Sequence, residues 1–386
     1  MRGGGQLPVK GEITKCELSS LREMILSQGT IACFRAFLEA SGPTVTINAI
    51  KPFSKHCGMA LACNARKSLG FTGNGLEEVA MPFYWMGYGL ANRDASLDVF
   101  EKGAVVRFND CLLKNGPPEI CVAFSHFIVD GISESINPRY EYIYTHHLTT
   151  DTRCQCVVRE KGSHGDPYEL GRFIKKVPDI ALPEEEITFL RNNVIGESWS
   201  IVTNAFVNVH GSERMLELVK SDMCEIGRSI GLCIQEMMDT GVDEPVNLQY
   251  AIDCIYKALG NHPLNPNQVG RKGRGIVLDC PFKDSPIELC KQIEMIITGI
   301  CKVIDPEIIF SYSSQKEIDK EGCEWVINRP GTLDTEKIEA KRKQNHSNKA
   351  LKALTVKYAT GEITKLEYDR MVRIIESEDD HEEHSE

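Results

Sequence analysis

Apolar residues recur at helical spacing from Glu17 to Leu38, at Leu18, Leu21, Ile25, Ile31, Phe34 and Phe37, and this predicts an opening amphipathic helix. Pro52 is placed to open a second helix and Gly70 to stop it. A third helical stretch carries Tyr84, Trp85, Met86 and Tyr88. The period then changes: Leu97–Glu101 and Val105–Asp110, split by Lys102-Gly103-Ala104, predict a β-hairpin. Pro117-Pro118 starts a further helix to about Ile136, its buried side carrying Ile120, Phe124, Phe127, Ile128 and Ile132. Arg139–His147 and Arg153–Arg159 read as two more strands, joined by the turn-rich Thr149-Thr150-Asp151-Thr152.

The second half follows the same plan. Helices are predicted at 186–209 and 214–239, a strand at Ile276–Cys280, a helix at Pro286–Ile304, then strands at Ile308–Ser313 and Cys323–Asn328. Sliding the chain by 169 residues matches it to itself: Leu21-Arg22 falls on Leu190-Arg191, Phe37 on Phe206, Asp110-Cys111 on Asp279-Cys280, Glu119 and Cys121 on Glu288 and Cys290, and Cys154 on Cys323. This register predicts an α+β fold of two similar helix-plus-antiparallel-sheet modules, 13–162 and 182–331, packed as an internal pseudo-dimer. A flexible N-terminus (1–12) and linkers at 163–181 and 332–349 frame them. A small helical hairpin follows at 350–376, its second helix opened by a Thr364/Glu367 capping box, and an acidic tail, 377–386, is expected to be disordered.

Composition narrows the function classes. A net charge of −11 argues against nucleic-acid partners, whose affinity comes from Lys and Arg neutralising phosphates. No apolar run approaches the ~18 residues of a membrane span, and the N-terminus lacks an apolar signal core, so a cytoplasmic location without membrane attachment is expected. All 15 cysteines fall inside the two modules. In a reducing compartment they read as buried apolar residues, thiolate ligands or nucleophiles rather than disulfides. There is no phosphate loop, no Rossmann glycine signature and no Cys-x-x-Cys pair.

The run from Ile120 to Val158 has a Cys-opened helix (Cys121 through Gly131), an aromatic-rich strand, then Cys154-Gln155-Cys156-Val157; the second half gives Cys290, Gly299, Ile308–Ser313 and Gly322-Cys323-Glu324-Trp325-Val326. This pattern resembles the 4-vinyl reductase domain and the related L-2-amino-thiazoline-4-carboxylic acid hydrolase-like family. Leu351–Ile375, with Gly361-Glu362-Ile363-Thr364 and Glu367-Tyr368, resembles the short C-terminal hairpin called SHOCT. The first resemblance implies a small organic ligand held between helices and sheet, with Tyr142, Tyr144 and Phe124 as candidate ligand contacts. It also implies, in some members, a hydrolase, and in related phenol-sensing regulators a cysteine-bound zinc. Cys121 and Cys154 match two such zinc positions, and the third falls near His146 or His147. The SHOCT resemblance implies self-association or a protein partner.

Strand alternation puts Tyr140, Tyr142, Tyr144 and His146 on one face and Ile143 and His147 on the other. If 146 opposes 154, His146 is the cross-strand neighbour of Cys154 and Tyr144 that of Cys156, which favours a zinc set of Cys121, His146 and Cys154. A one-residue slip puts His147 there instead. The plainer reading is a buried thiol pair beside a surface histidine. In the second half Gln315 and Lys316 stand at the matching positions and suit a metal poorly. His56-Cys57 reads as part of a small-residue helix contact through Gly58, and Asp110-Cys111 as a strand-end turn. The basic cluster Arg271-Lys272, Arg274 reads as a solvated loop. Three functions follow as expectations: a small-molecule-binding protein, a hydrolase opening a small heterocycle, and a tetrapyrrole-handling protein.

Overall fold

The computed structural model describes residues 15–91, 93–163, 168–238, 267–269, 272–277, 285–304, 306, 308–314 and 323–328. The chain is compact as one unit as far as Ile327, and the hairpin expected at 350–376 lies outside the described residues. The first half opens with α1 (Lys15–Leu69), broken at Gly42, whose φ of 75° and ψ of 165° suit glycine and not a helix. Pro43, rather than Pro52, therefore opens the second arm, where its missing N–H costs no helical bond. Pro52 lies within that arm, between buried Ile50 and Ser54. Helix α2 (Leu76–Leu90) follows, then β1 (Ala95–Phe100) and β2 (Gly103–Phe108).

The helix expected from Pro118 to Ile136 is interrupted. It runs as α3 (Pro118–Cys121), a π-helical turn at Val122–His126, and α4 (Phe127–Ile136). Strands β3 (Tyr140–His146), β4 (Cys154–Glu160) and β5 (Phe173–Lys176) complete an antiparallel sheet of order β3-β4-β2-β1-β5. The segment expected to be a linker thus adds a strand: Val99 pairs with Lys175, and Leu170 packs on Val105 and Val157 to cover the sheet's outer face. On the inner face Phe83 of α2 meets Phe108, Tyr142 and Tyr144 edge-on, with ring centroids 5.5–5.8 Å apart.

The second half contains α5 (Glu184–His210), α6 (Ser212–Met238), β6 (Asn267–Val269), β7 (Lys272–Val277), α7 (Ile287–Ile304), β8 (Ile309–Ser314) and β9 (Cys323–Asn328). Lys272 and Arg274, expected in a loop, lie in β7; that strand begins four residues before the expected Ile276, and 278–280 lie outside the described residues. The sheet order is β6-β7-β9-β8, the order of β1, β2, β4 and β3. The pairing register also agrees: Phe108 pairs with Cys154 and Val277 with Cys323, and Asp98 pairs with Val105 and Asn267 with Arg274. Gly211, with φ 80° and ψ 161°, separates α5 from α6 as Gly42 divides α1.

The halves meet through α1 and α5. Phe37 stacks on Phe206 at 4.6 Å and 11°, and Ser41 Oγ lies 2.5 Å from His210 Nε2, both pairs standing 169 residues apart. Both contacts lie on one helix–helix seam, α1 against α5. Beside it a buried polar chain is fully paired: Trp199 Nε1 donates to Gln292 Oε1 at 2.9 Å, and Gln292 Nε2 donates to Thr203 Oγ1 at 2.9 Å.

Each half also has one crossing where two helix backbones touch. A Cβ on Gly58 would lie 2.0 Å from the Ile128 carbonyl oxygen, and one on Gly131 2.1 Å from that of Lys55. Gly227 and Gly299 stand in the same relation to Ile296 and Cys224. Gly58 and Gly227 are 169 apart, but Gly131 and Gly299 are 168 apart. The π turn accounts for the difference, because it accommodates one residue more than the same length of α-helix. The second half has a continuous helix there.

Candidate functional site

The π turn sits against the β3–β4 hairpin, and the two irregularities build one site. Along β3, Tyr142 pairs with Val158 and Tyr144 with Cys156, as alternation from the sequence requires. Between Tyr144 and His146 the register shifts, so that His146 pairs with Gln155 and not with Cys154. The cause is polar. Gln155 Nε2 donates to Thr145 Oγ1 at 2.9 Å, and Arg107 Nε donates to Gln155 Oε1 at 2.8 Å, which anchors Thr145 to Gln155. His146 joins this group, its Nδ1 3.2 Å from Thr145 Oγ1. Two residues thereby occupy one strand position, a β-bulge, and the following residue is re-aimed. The expected His146–Cys154 opposition is corrected accordingly: His147 is the histidine that turns onto the ring of Tyr144.

Three rings then lie nearly parallel. His126, the last residue of the π turn, stacks on Tyr144 at 4.4 Å and 9°; Tyr144 meets His147 at 4.9 Å and 13°; His126 and His147 are 5.3 Å apart at 16°. His126 Nε2 and His147 Nδ1 are buried without a hydrogen-bond partner, while Ser125 hydrogen-bonds the Tyr144 hydroxyl between them. Buried polar atoms are nearly always paired, because leaving one unpaired costs about 1–3 kcal/mol. Two such atoms lie in this one ring cluster.

Electrostatics fix the protonation of these groups. Burial, reinforced by the neighbouring His147, pulls His126 down to about 4, so it is a neutral imidazole near pH 7. Burial also lowers His147, against the opposing pull of Asp151. Burial and the thiols of Cys156, Cys154 and Cys121 push the Tyr144 hydroxyl well up, against a hydrogen bond from Ser125, so it stays protonated. Burial raises the Cys121 thiol despite Thr149, whose Oγ1 lies 3.4 Å from its sulfur. Burial raises Cys154 further, with Cys111 and Cys121 adding to the effect. These thiols present S–H groups rather than thiolates, which makes them weak nucleophiles.

The other expected contacts are placed as follows. Phe124 is buried 6.2 Å from Phe34, in the core on the helix side. Tyr142 donates its hydroxyl to the Val79 carbonyl, so its polar end is taken by α2. Cys121 lies close enough to Cys154 to help raise its thiol. Zinc would require three or more donors around one point. Their chemical types suit it, but among the described residues no three His, Cys, Asp or Glu side chains are gathered in that way. Asp110 caps its own turn, accepting from the Cys111 N–H and from Lys114 Nζ at 2.8 Å each. Gly58 makes the helix contact expected of it, and Cys57 beside it is raised to about 12 by burial.

Reasoning from the sequence alone passed over His126, which a regular helical period places opposite the buried side of Ile120, Phe124, Phe127, Ile128 and Ile132. A usable signal was nonetheless present: Gly131 and Gly299 are offset by 168 while Cys121 and Cys290 are offset by 169. Among the described residues no helix is long and apolar enough to cross a membrane. No family model, curated protein or solved structure matches the chain.

Proposed function

We propose that this chain is a small-molecule-binding protein of two like modules, resembling 4-vinyl reductase domains and joined as an internal pseudo-dimer, with its working site in the first. The observation that carries the reading is the pair of unpartnered buried imidazole nitrogens of His126 and His147, placed on either side of Tyr144 where a π turn and a β-bulge meet. π turns concentrate at functional sites, and bulges often re-aim a side chain beside them. The shared strand order, the constant pairing register and the Phe37–Phe206 contact support the two-module description. A hydrolase opening a small heterocycle is less well supported, since Cys121 and Cys154 are held as thiols by burial. Self-association or a protein partner is assigned to the segment 350–376.

Native mass spectrometry of the full chain, purified without oxygen, tests the reading. The expected result is a co-purified small organic mass on the folded protein. A chain that carries no such mass, from several expression hosts, would count against ligand binding. Added zinc or a Soret absorption band would move the assignment to a metal centre or a tetrapyrrole.

A further inference from the structure

We infer that the open edge of the first-half sheet is a contact between two copies of this chain. Strand β3 pairs antiparallel with β3 of the second copy, around a two-fold axis at Tyr142, and the two sheets become one. The inference goes beyond ligand binding and does not depend on it. Three observations carry it.

The first is a difference between edges. The order β3-β4-β2-β1-β5 leaves β3 and β5 outermost. A bare strand edge is a template for another strand, and proteins guard such edges with lysine, proline or short length. Strand β5 is guarded: it has four residues and ends in Lys175-Lys176. Strand β6, at an edge of the second-half sheet, has only three. Strand β3 has seven, Tyr-Glu-Tyr-Ile-Tyr-Thr-His, with neither lysine nor proline, and is half-exposed throughout. Its one carboxylate, Glu141, is tied to Arg159 of β4 at 3.3 Å. The bulge at Thr145 lies beyond Tyr140–Tyr144, where the register is unbroken.

The second is the direction of the backbone groups. The Lys161 N–H donates to the Arg139 carbonyl at 2.7 Å, so residue 139 faces β4. Alternation turns Glu141 and Ile143 the same way and points the N–H and C=O of Tyr142 and Tyr144 outward. The Tyr140 N–H is engaged by the Asn137 carbonyl at 3.2 Å, which leaves the Tyr140 carbonyl. Among the described residues no strand lies beyond β3 to meet these groups.

The third is self-complementarity. Tyr140, Tyr142 and Tyr144 stand at every second position, so Tyr-x-Tyr-x-Tyr reads alike from either end. Around Tyr142, the outward-facing positions meet one another: Tyr142 opposes Tyr142, and Tyr140 opposes Tyr144. Each Tyr142 N–H donates to the other copy's Tyr142 carbonyl, and each Tyr144 N–H to the other copy's Tyr140 carbonyl. On the opposite face Glu141 stands against Ile143, so no like charges meet. A strand that fits its own reverse selects a second copy over an unrelated peptide.

The test follows the full chain by sedimentation velocity over a concentration series. Hydrogen exchange of the same samples is read by mass spectrometry on peptides spanning 140–146 and 173–176. The expected result is a reversible monomer–dimer equilibrium in which exchange at 140–146 slows as the dimer forms, while 173–176 is unchanged. Ile143→Glu and Ile143→Lys then test the register. In the dimer, residue 143 opposes Glu141 of the other copy, so Ile143→Glu should weaken association by about tenfold and Ile143→Lys should not weaken it. Within one chain, residue 143 lies on the same face as Glu141 and diagonal to Arg159, so either charge meets one attraction and one repulsion. The two variants should therefore share a thermal midpoint, and a folding defect cannot imitate the difference in association.

A chain that stays monomeric at every concentration would overturn the inference. So would a dimer with unchanged exchange at 140–146, which would place the contact elsewhere, or equal association by Ile143→Glu and Ile143→Lys.

Discussion

Deleting Ser125 from the π turn is expected to leave the protein folded, although a one-residue deletion inside a buried helix is ordinarily ruinous. In a regular helix such a deletion rotates everything beyond it by about 100°. In α7, removing Ile293 would turn Ile296, Ile297, Ile300 and Ile304, all buried, away from their contacts. Losing four such side chains costs roughly 6–12 kcal/mol, as large as the whole stability of a typical domain. In the first half the extra residue is already stored in the π turn. Removing Ser125 lets Val122–His126 close into an ordinary α turn, while Gly131 stays against Lys55 and Ile128, Ile132 and Ile136 stay buried. The expected change is within about 2 kcal/mol, of the order of one or two hydrogen bonds. Thermal unfolding followed by circular dichroism should show a shift of a few degrees for ΔSer125 and loss of the cooperative transition for ΔIle293. Site function should be lost in ΔSer125 all the same, because His126 rotates away from Tyr144. Equal destabilisation by the two deletions would refute the idea that the π turn is an absorbed insertion.

Further expectations follow from the packing. Gly58→Ala and Gly227→Ala should each cost about 1–3 kcal/mol by urea denaturation, because a methyl at either site meets a backbone carbonyl that cannot step aside; tolerance at Gly227 would show that the two crossings are not alike. Trp199→Phe should cost about 1–3 kcal/mol by leaving Gln292 with an unmet acceptor, and adding Gln292→Leu should recover part of that loss in a double-mutant cycle. With iodoacetamide near pH 8, peptide mapping should find Cys63 and Cys233 modified before the other described cysteines. Cys33 and Cys156, fully buried and with thiols raised by that burial, should react only on unfolding; early labelling of Cys156 would contradict its placement.

Much of the architecture could be read from residue order because it rests on local rules. Glycine and proline punctuation at Gly70 and Pro118, alternation along Tyr140–His146 and helical spacing through Ile120, Ile128 and Ile132 each placed an element, whereas the break at Gly42 was not read. The elements misread are those whose form depends on distant partners. Phe173–Lys176 forms a strand because β1 presents an open edge to it. The bulge at Thr145 depends on Gln155, ten residues along and on the neighbouring strand, which is itself held by Arg107. The π turn depends on the glycine crossing, which fixes Gly131 against Lys55 and leaves the extra residue nowhere else to go. His126 and His147 owe their meeting to those two irregularities, and no periodic rule generates either one.

Joining two similar bodies in a single polypeptide has a consequence for what the site is allowed to be. Identical subunits related by symmetry must share every insertion, so an added residue that builds a cleft on one side builds it on the other and alters both cores. Here the residue added at Val122–His126 has no twin in Ile287–Ile304, and the facing rings of Phe37 and Phe206 are undisturbed. On the two-module reading proposed above, the covalent link leaves one module free to carry a site while the other keeps an unbroken helix.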